Sequence, residues 1–334
     1  MRHPLTFIAI FIGQFLIAQQ IKQLNSNEGA SYRGLSVVSD KIIWACGSKG
    51  FIEKSTDGGK TWKTRQVEGF ENSDFRSIHA FSSDEAVIVS AGTPAVIMKT
   101  TDGGTTWKVK WMNQDSAYFL DGITFWDDQR GMVFGDPIRE HLFLLETTDK
   151  GESWHPVPAH APHLTAGESC FAASGTTIRS LPGGHVYIAT GGTQARILHS
   201  SDYGKSWKYI STPMISGAAS KGIFSMAIAD TSNMVITGGD YANDTLKENH
   251  VFYTTDGGKT WNYPAKPTGG YRSCVEYIGP SKLLATGTSG TDISADGGKT
   301  WKNVSSAGFH TIRKSAKGKK VYLSGGKGRI AILK

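Results

Sequence analysis

The chain has 334 residues, of which 40 are glycine, 10% are aromatic and only 19% are charged, with a formal net charge of +7. Glycine supplies positive-φ turn positions and aromatics favour pleated surfaces, so this mixture fits many short strands joined by many turns. It excludes a disordered chain, which is poor in aromatics and rich in charge. Three cysteines, Cys46, Cys170 and Cys274, are too few for a disulfide framework. Cys46 and Cys274 lie in strand-like runs and are expected to be buried thiols, with a single bridge left open.

In chain order, Arg2 and His3 precede an apolar run from Leu5 to Ala18, followed by Gln19 and Gln20. A short basic start, an apolar stretch and a small residue before a polar one describe a secretory signal peptide. Cleavage is placed after Ala18, giving a signal peptide over 1–18 and one domain over 19–334, periplasmic or secreted. The alternative, an uncleaved anchor, is disfavoured by Gln14, which interrupts a run barely long enough to span a bilayer. No cysteine follows the cleavage region, so a lipoprotein anchor is not expected, and no later segment is apolar enough to cross a membrane.

The next segments establish a unit. Arg33 to Val38 alternates as a strand, Ser39-Asp40 turns, Lys41 to Cys46 is a second strand and Phe51 to Ser55 a third. The turn Ser55-Thr56-Asp57-Gly58-Gly59-Lys60-Thr61-Trp62 follows, and Thr61 to Gln66 is a fourth strand. The same turn recurs around Asp102, Asp149, Asp202, Asp256 and Asp296, at spacings of 45, 47, 53, 54 and 40 residues, and takes six of the nine tryptophans. Asp closes the turn on backbone N–H groups, glycine takes the positive φ, and Trp starts the next strand with a large apolar face to bury. Four antiparallel strands per unit of about 45 residues describe a propeller blade. After the sixth turn come two strands, Phe309 to Lys314 and Lys320 to Ser324, and a third, Arg329 to Lys334. The missing fourth strand has a candidate in Ile21 to Leu24. The expectation is an all-β, seven-bladed β-propeller of four-stranded antiparallel blades, its ring closed by the N-terminal strand so that no sheet edge stays open.

The six turns resemble the Asp-box, or BNR, repeats of sialidases and related propellers. Across nearly the whole mature chain the pattern is similar to the photosystem II stability/assembly factor family. That resemblance implies an exported seven-bladed propeller that serves as an assembly factor and is not known as an enzyme. The box itself specifies fold, not function, and nothing in the sequence indicates photosynthesis.

Topology sorts the remaining residues. The boxes join third to fourth strands, so they lie on the face opposite the start of each innermost strand, and Asp57, Asp102, Asp149, Asp202, Asp256 and Asp296 are expected to be structural. Aligning the innermost strands as Tyr32-Arg33, Phe75-Arg76, Leu120-Asp121, Phe224-Ser225, Tyr271-Arg272 and Phe309-His310, with Ser174-Gly175-Thr176 in blade 4, puts Arg33, Arg76, Asp121, Arg272 and His310 around the channel mouth. Asp136, Arg139 and Asp240, at ends of second strands, share that face, as does the connection through Glu168 and Cys170. Two readings stay open: the arginines tie the channel together, or they form a site for an anionic group, which a planar guanidinium suits.

The partner expected there is another protein or an anionic or glycan ligand, bound by a monomer. The alternative is a sialidase-like glycoside hydrolase with Tyr241 as nucleophile and Glu168, Asp136 and Asp240 as carboxyl groups, or a two-carboxylate glycosidase using Asp136 and Asp240. Against a sialidase, these enzymes have six blades, and Tyr32-Arg33-Gly34-Leu35 only faintly echoes their arginine-isoleucine-proline motif. His155, His160 and His163 sit in a proline-rich loop with no acidic or thiol partner close in sequence, so no metal site is expected. No phosphate loop or dinucleotide fingerprint occurs, so no cofactor is expected. From Lys302 to Lys334 there are nine basic residues and no acidic one. Without a nucleic-acid motif this reads as a solvated face or an anionic-surface contact, not as nucleic-acid binding.

Overall fold

A computed structural model describes residues 20–334; the expected signal peptide, 1–18, lies outside the described residues. No helix among the described residues is long and apolar enough to cross a membrane. The strands form seven antiparallel sheets that follow one another around a ring. Blade 1 runs Tyr32–Val37, Ile43–Gly47, Phe51–Ser55 and Lys63–Gln66. The inner strands of blades 2 to 6 are Phe75–Ala80, Leu120–Phe125, Ile178–Leu181, Ala218–Ile228 and Cys274–Tyr277. Blade 7 pairs Thr311–Lys314, Val321–Ser324 and Ile330–Leu333 with Ile21–Asn25. The expected closure is therefore present, in the register Ile21↔Leu333, Lys22↔Ile332 and Gln23↔Ala331.

Two blades depart from the regular unit. The outer strand of blade 3 shrinks to His155–Pro156, because prolines at 156 and 158 remove the N–H groups a longer strand would donate. Blade 5 has five strands, because Glu168–Ser169 and Gly191–Gly192 add to the mouth end of its long inner strand.

The first three strands of each blade bury faces that meet the neighbouring blades, so the core is distributed. Seven apolar clusters fill the seven gaps between successive blades, from Trp44, Ile78 and Met98 between blades 1 and 2 to Tyr32, Leu35 and Tyr322 between blades 7 and 1.

All six boxes share one geometry. The first hydroxyl bonds the aspartate at 2.7–2.9 Å and receives, at 2.8–3.0 Å, the N–H of the glycine two residues after the aspartate. The last hydroxyl bonds the other carboxylate oxygen at 2.5–2.6 Å. Each box then donates one N–H to the turn between first and second strands of its own blade, as from Gly58 to Lys41 O and Gly103 to Asp84 O. That turn fixes the boxes to the face opposite the channel mouth.

The position two residues after the aspartate must be glycine for two reasons. Its φ is positive, +79° to +91° at Gly59, Gly104, Gly151, Gly204, Gly258 and Gly298. An added Cβ there would also meet a side chain of the preceding blade at 2.5–3.0 Å. At Gly59 that neighbour is Leu24 of the N-terminal strand, so the first box is seated on the closing strand itself.

Candidate functional site

The mouth is shaped by a repeated irregularity. Pairing of inner with second strand skips one residue at Arg33, Arg76, Asp121 and Phe224. A bulge of this kind bends the strand and re-aims the extra side chain, and here all four line one central cavity of about 460 Å³. Next to each bulge, Gly34, Ser77, Gly122 and Ser225 pair with Cys46, Val89, Phe134 and Thr237. The equivalent pairs in blades 6 and 7 are Cys274↔Thr286 and Thr311↔Ser324. The residues preceding them, Ser273 and His310, take the mouth positions, and both line the cavity.

This register corrects the expectation for Arg272. It lies one residue out of alignment with Arg33 and Arg76, and in a strand a one-residue slip sends a side chain to the other side. Arg272 is 0% exposed and is absent from the cavity wall. Its guanidinium bonds Asp292 Oδ2 from Nε at 2.7 Å and the oxygens of Tyr271 and Ser289 from Nη1 at 2.8 Å each. It is a structural ion pair inside blade 6.

Of the other expected residues, Asp136 and Tyr241 line the cavity, and Tyr241 is 54% exposed. Glu168, Asp240 and Arg139 do not. Glu168 is buried under a two-point ion pair with Arg196 (2.9 and 2.8 Å) and bonds from Thr165 and Thr190. Asp240 receives the Ala242 N–H at 2.9 Å, closing a turn. Arg139 occupies the exposed tip of the Ile138–His141 hairpin, where its φ is +51°. The carboxyl pair Asp136 and Asp240 and the tyrosine–glutamate pair Tyr241 and Glu168 are therefore not gathered in one cavity. His163 faces Glu140 at 3.2 Å, and no group of three metal-ligating side chains converges among the described residues.

The floor of the cavity comes from a segment whose role is not legible in the sequence. Between blades 3 and 4 the chain passes through Cys170, Phe171, Ala172 and Ala173, all on the cavity wall. It then crosses the channel axis. The carbonyl of Ala173 accepts from Arg33 of blade 1, that of Ser174 from Thr311 and Arg313 of blade 7, and that of Gly175 from Arg313. Ser174 Oγ donates to Ser273 O of blade 6, and Thr176 and Ser225 of blade 5 share a hydroxyl bond of 2.6 Å. Residues expected to begin the inner strand of blade 4 are thus a crossbar. The only sequence trace of it is the 53-residue spacing from Asp149 to Asp202.

Three arcs make up the wall. Arg33 has one hydrogen bond among the described residues, to Ala173 O at 3.0 Å. Burial, then the Arg76 charge, pulls its pKa below the usual arginine value. Arg76 is paired with Asp74 at 2.7 Å. His310, bonded to Ser31 Oγ at 3.2 Å, is lowered to about 3 by burial and then by the charges of Arg33, Arg329 and Arg76, so it is neutral at pH 7.

The acidic arc is blade 3. Asp121 is raised well above the carboxylate range by burial first and Asp136 second, with Arg76 opposing. Burial also raises Asp136, against one N–H bond from Cys170 at 3.3 Å. The third arc is aromatic: Phe171 stacks on Phe224 at 3.8 Å between ring centroids, and Tyr241 and Tyr271 meet Phe224 edge-on. A concave site with an apolar wall and a few placed charges is the form of a binding site for a small or terminal group.

A family model for the photosynthesis system II assembly factor YCF48 matches residues 89–177, and Asp-box (BNR) repeats match 53–64 and 252–263. The chain is an Asp-box propeller similar to YCF48. Its fold is similar to that of YCF48 from Cyanidioschyzon merolae (TM-score 0.70, 16% identity, 95% of this chain and 98% of that one). It is likewise similar to YCF48 bound to a D1 peptide (TM-score 0.67, 16% identity, 94% and 96%). The propeller domain of Doa1, of the WD40 type, is similar at TM-score 0.63 and 11% identity over 95% and 97%. No curated protein sequence matches the chain. The YCF48 resemblance agrees with the family expected from the boxes.

Proposed function

We propose that this protein is an exported assembly factor that binds a polypeptide segment of an envelope protein, seating an anionic group of that segment on Arg33 and Arg76 at the channel mouth. The observation that carries this reading is the open cavity in which Arg33, bound to one carbonyl, faces an aromatic wall. An arginine fork held by a backbone carbonyl keeps donors for a carboxylate, and aromatic side chains supply contact area at small entropic cost. The YCF48 propeller seen with a D1 peptide supports a peptide as the class of ligand. Binding, not turnover, fits a site in which Glu168 and Asp240 stand outside the cavity.

The test is binding of a peptide-display library with free C-termini to the chain lacking residues 1–18. Peptides enriched by the wild type should lose affinity at least about tenfold, roughly 1.4 kcal/mol, for the Arg33→Gln/Arg76→Gln variant, with an unchanged circular dichroism spectrum and melting temperature. Equal affinity for the folded double variant would overturn the site.

A further inference from the structure

The two carboxyl groups on the cavity wall have no role in holding an anion. Asp121 is 1% exposed, and among the described residues neither of its carboxyl oxygens has a hydrogen-bond partner. Buried polar groups are almost always partnered, and an orphan costs free energy unless something else meets it. An acid at this position is not part of the blade pattern: the equivalent residue is Phe224 in blade 5 and Ser273 in blade 6. Asp136 stands beside it on the adjoining strand, since Leu120 pairs with Gly135 and Asp136 N donates to Phe119 O at 3.0 Å. Among the described residues its carboxyl group has the single bond from Cys170 described above.

The nearest guanidinium in chain order around the ring, Arg76, is already paired with Asp74. The Arg76 charge only partly offsets the acidic arc, and no ion pair to Asp121 or Asp136 forms among the described residues. Phe119 and Phe171 flank it on the same wall, and aromatic faces accept both the aliphatic stem and the charged head of a lysine or arginine.

We propose that Asp121 and Asp136 form a cation subsite, so that the cavity selects a polypeptide bearing a lysine or arginine side chain close to its anionic group. This rests on the reading that Arg33 and Arg76 take the anionic group. The two subsites are adjacent arcs of one cavity, and a ligand must present both charges in the matching order. Like-sign contacts in the reversed order would be repelled, which gives the site direction as well as affinity.

The experiment is calorimetric titration of the chain lacking residues 1–18 with alanine-based hexapeptides. Lysine is scanned through the last four positions, each peptide is matched by a norleucine counterpart, and each is made as free acid and as C-terminal amide. At one position lysine should bind about tenfold tighter than norleucine. That preference should fall below about twofold in Asp121→Asn and in Asp136→Asn, while the preference for acid over amide survives in both and is lost in Arg33→Gln.

The asparagine variants keep shape and a hydrogen-bond donor. A lysine preference that persists in both would mean that Asp121 and Asp136 do not hold the cation, and would overturn the proposal, as would equal binding of lysine and norleucine at every position. Acid and amide binding alike, with the lysine preference intact, would overturn the anionic reading and leave the cation subsite standing. Absence of binding by all peptides overturns both. Asp136→Asn carries the test if Asp121→Asn does not fold.

Discussion

At Asp202 one carboxylate does the work of a whole turn. It accepts the Ser200 hydroxyl at 2.7 Å, the Ser206 hydroxyl at 2.6 Å and the Ser206 N–H at 2.9 Å. The Ser206 hydroxyl, then that of Ser200, holds its pKa down at about 2. The folded value lies below the unfolded one near 3.9, so the contribution is fully present above the unfolded value and is lost as pH falls through about 2. Asp202→Asn should therefore lower the denaturation midpoint at pH 6, with the gap closing between about pH 4 and pH 2, as followed by urea unfolding at each pH. A constant gap down to pH 2 would show that the turn does not depend on the charge. The box was legible because the partners of its carboxylate, Ser200, Lys205 and Ser206, lie within four residues. Arg272 was not legible in the same way, because its role depends on register: whether Arg272 or Ser273 faces the channel is decided by where pairing with the second strand starts, at Cys274↔Thr286, and no local residue type announces that.

The element that decides the site is the crossbar 173–176. Its carbonyls satisfy donors from distant blades, and Gly175 sits at φ +63° with Ser77 Oγ 2.9 Å from where a Cβ would stand. A β-branched side chain there is strained by backbone and by space together, at on the order of 1–3 kcal/mol. Gly175→Val should lower stability by about that amount in urea unfolding and weaken peptide binding by displacing the cavity floor, while leaving the box turns, on the other face, intact. Unaltered binding and stability would show that the crossbar does not build the site. Sequence reading took Ser174 to Thr176 for the start of a strand because it falls where the other blades begin their inner strands. Only the partners from blades 1, 5, 6 and 7 reveal that it runs across the axis.

For the whole molecule, the ring is closed by five residues. Ile21–Asn25 completes blade 7 and sets Leu24 against Gly59 and Trp62 of blade 1. Removing it exposes an unpaired edge strand and opens the gap between first and last blades. A chain beginning at residue 26 should melt lower by on the order of 10 °C, equivalent to a few kcal/mol in a domain of this size, and should aggregate more readily. Melting close to that of the chain beginning at residue 20 would show that the ring does not depend on this closure. The two faces then divide the labour: boxes on one hold the blades, and charged and aromatic arcs on the other are free to vary.

The sequence by itself determined the blade, its number and its closure. These follow from local turn chemistry and period-two burial, which repeat six times and leave one blade to be shared by the ends. It also determined which face carries the mouth, because four-stranded antiparallel connectivity allows only one answer. The tertiary structure alone decided which charged residues enter the cavity. Bulges set the aim of Arg33, Arg76 and Asp121, ion pairs withdraw Arg272 and Glu168, and the crossbar turns an open channel into a floored cavity. Each of these depends on partners more than a blade away or on a one-residue register, and neither leaves a periodic trace in the chain.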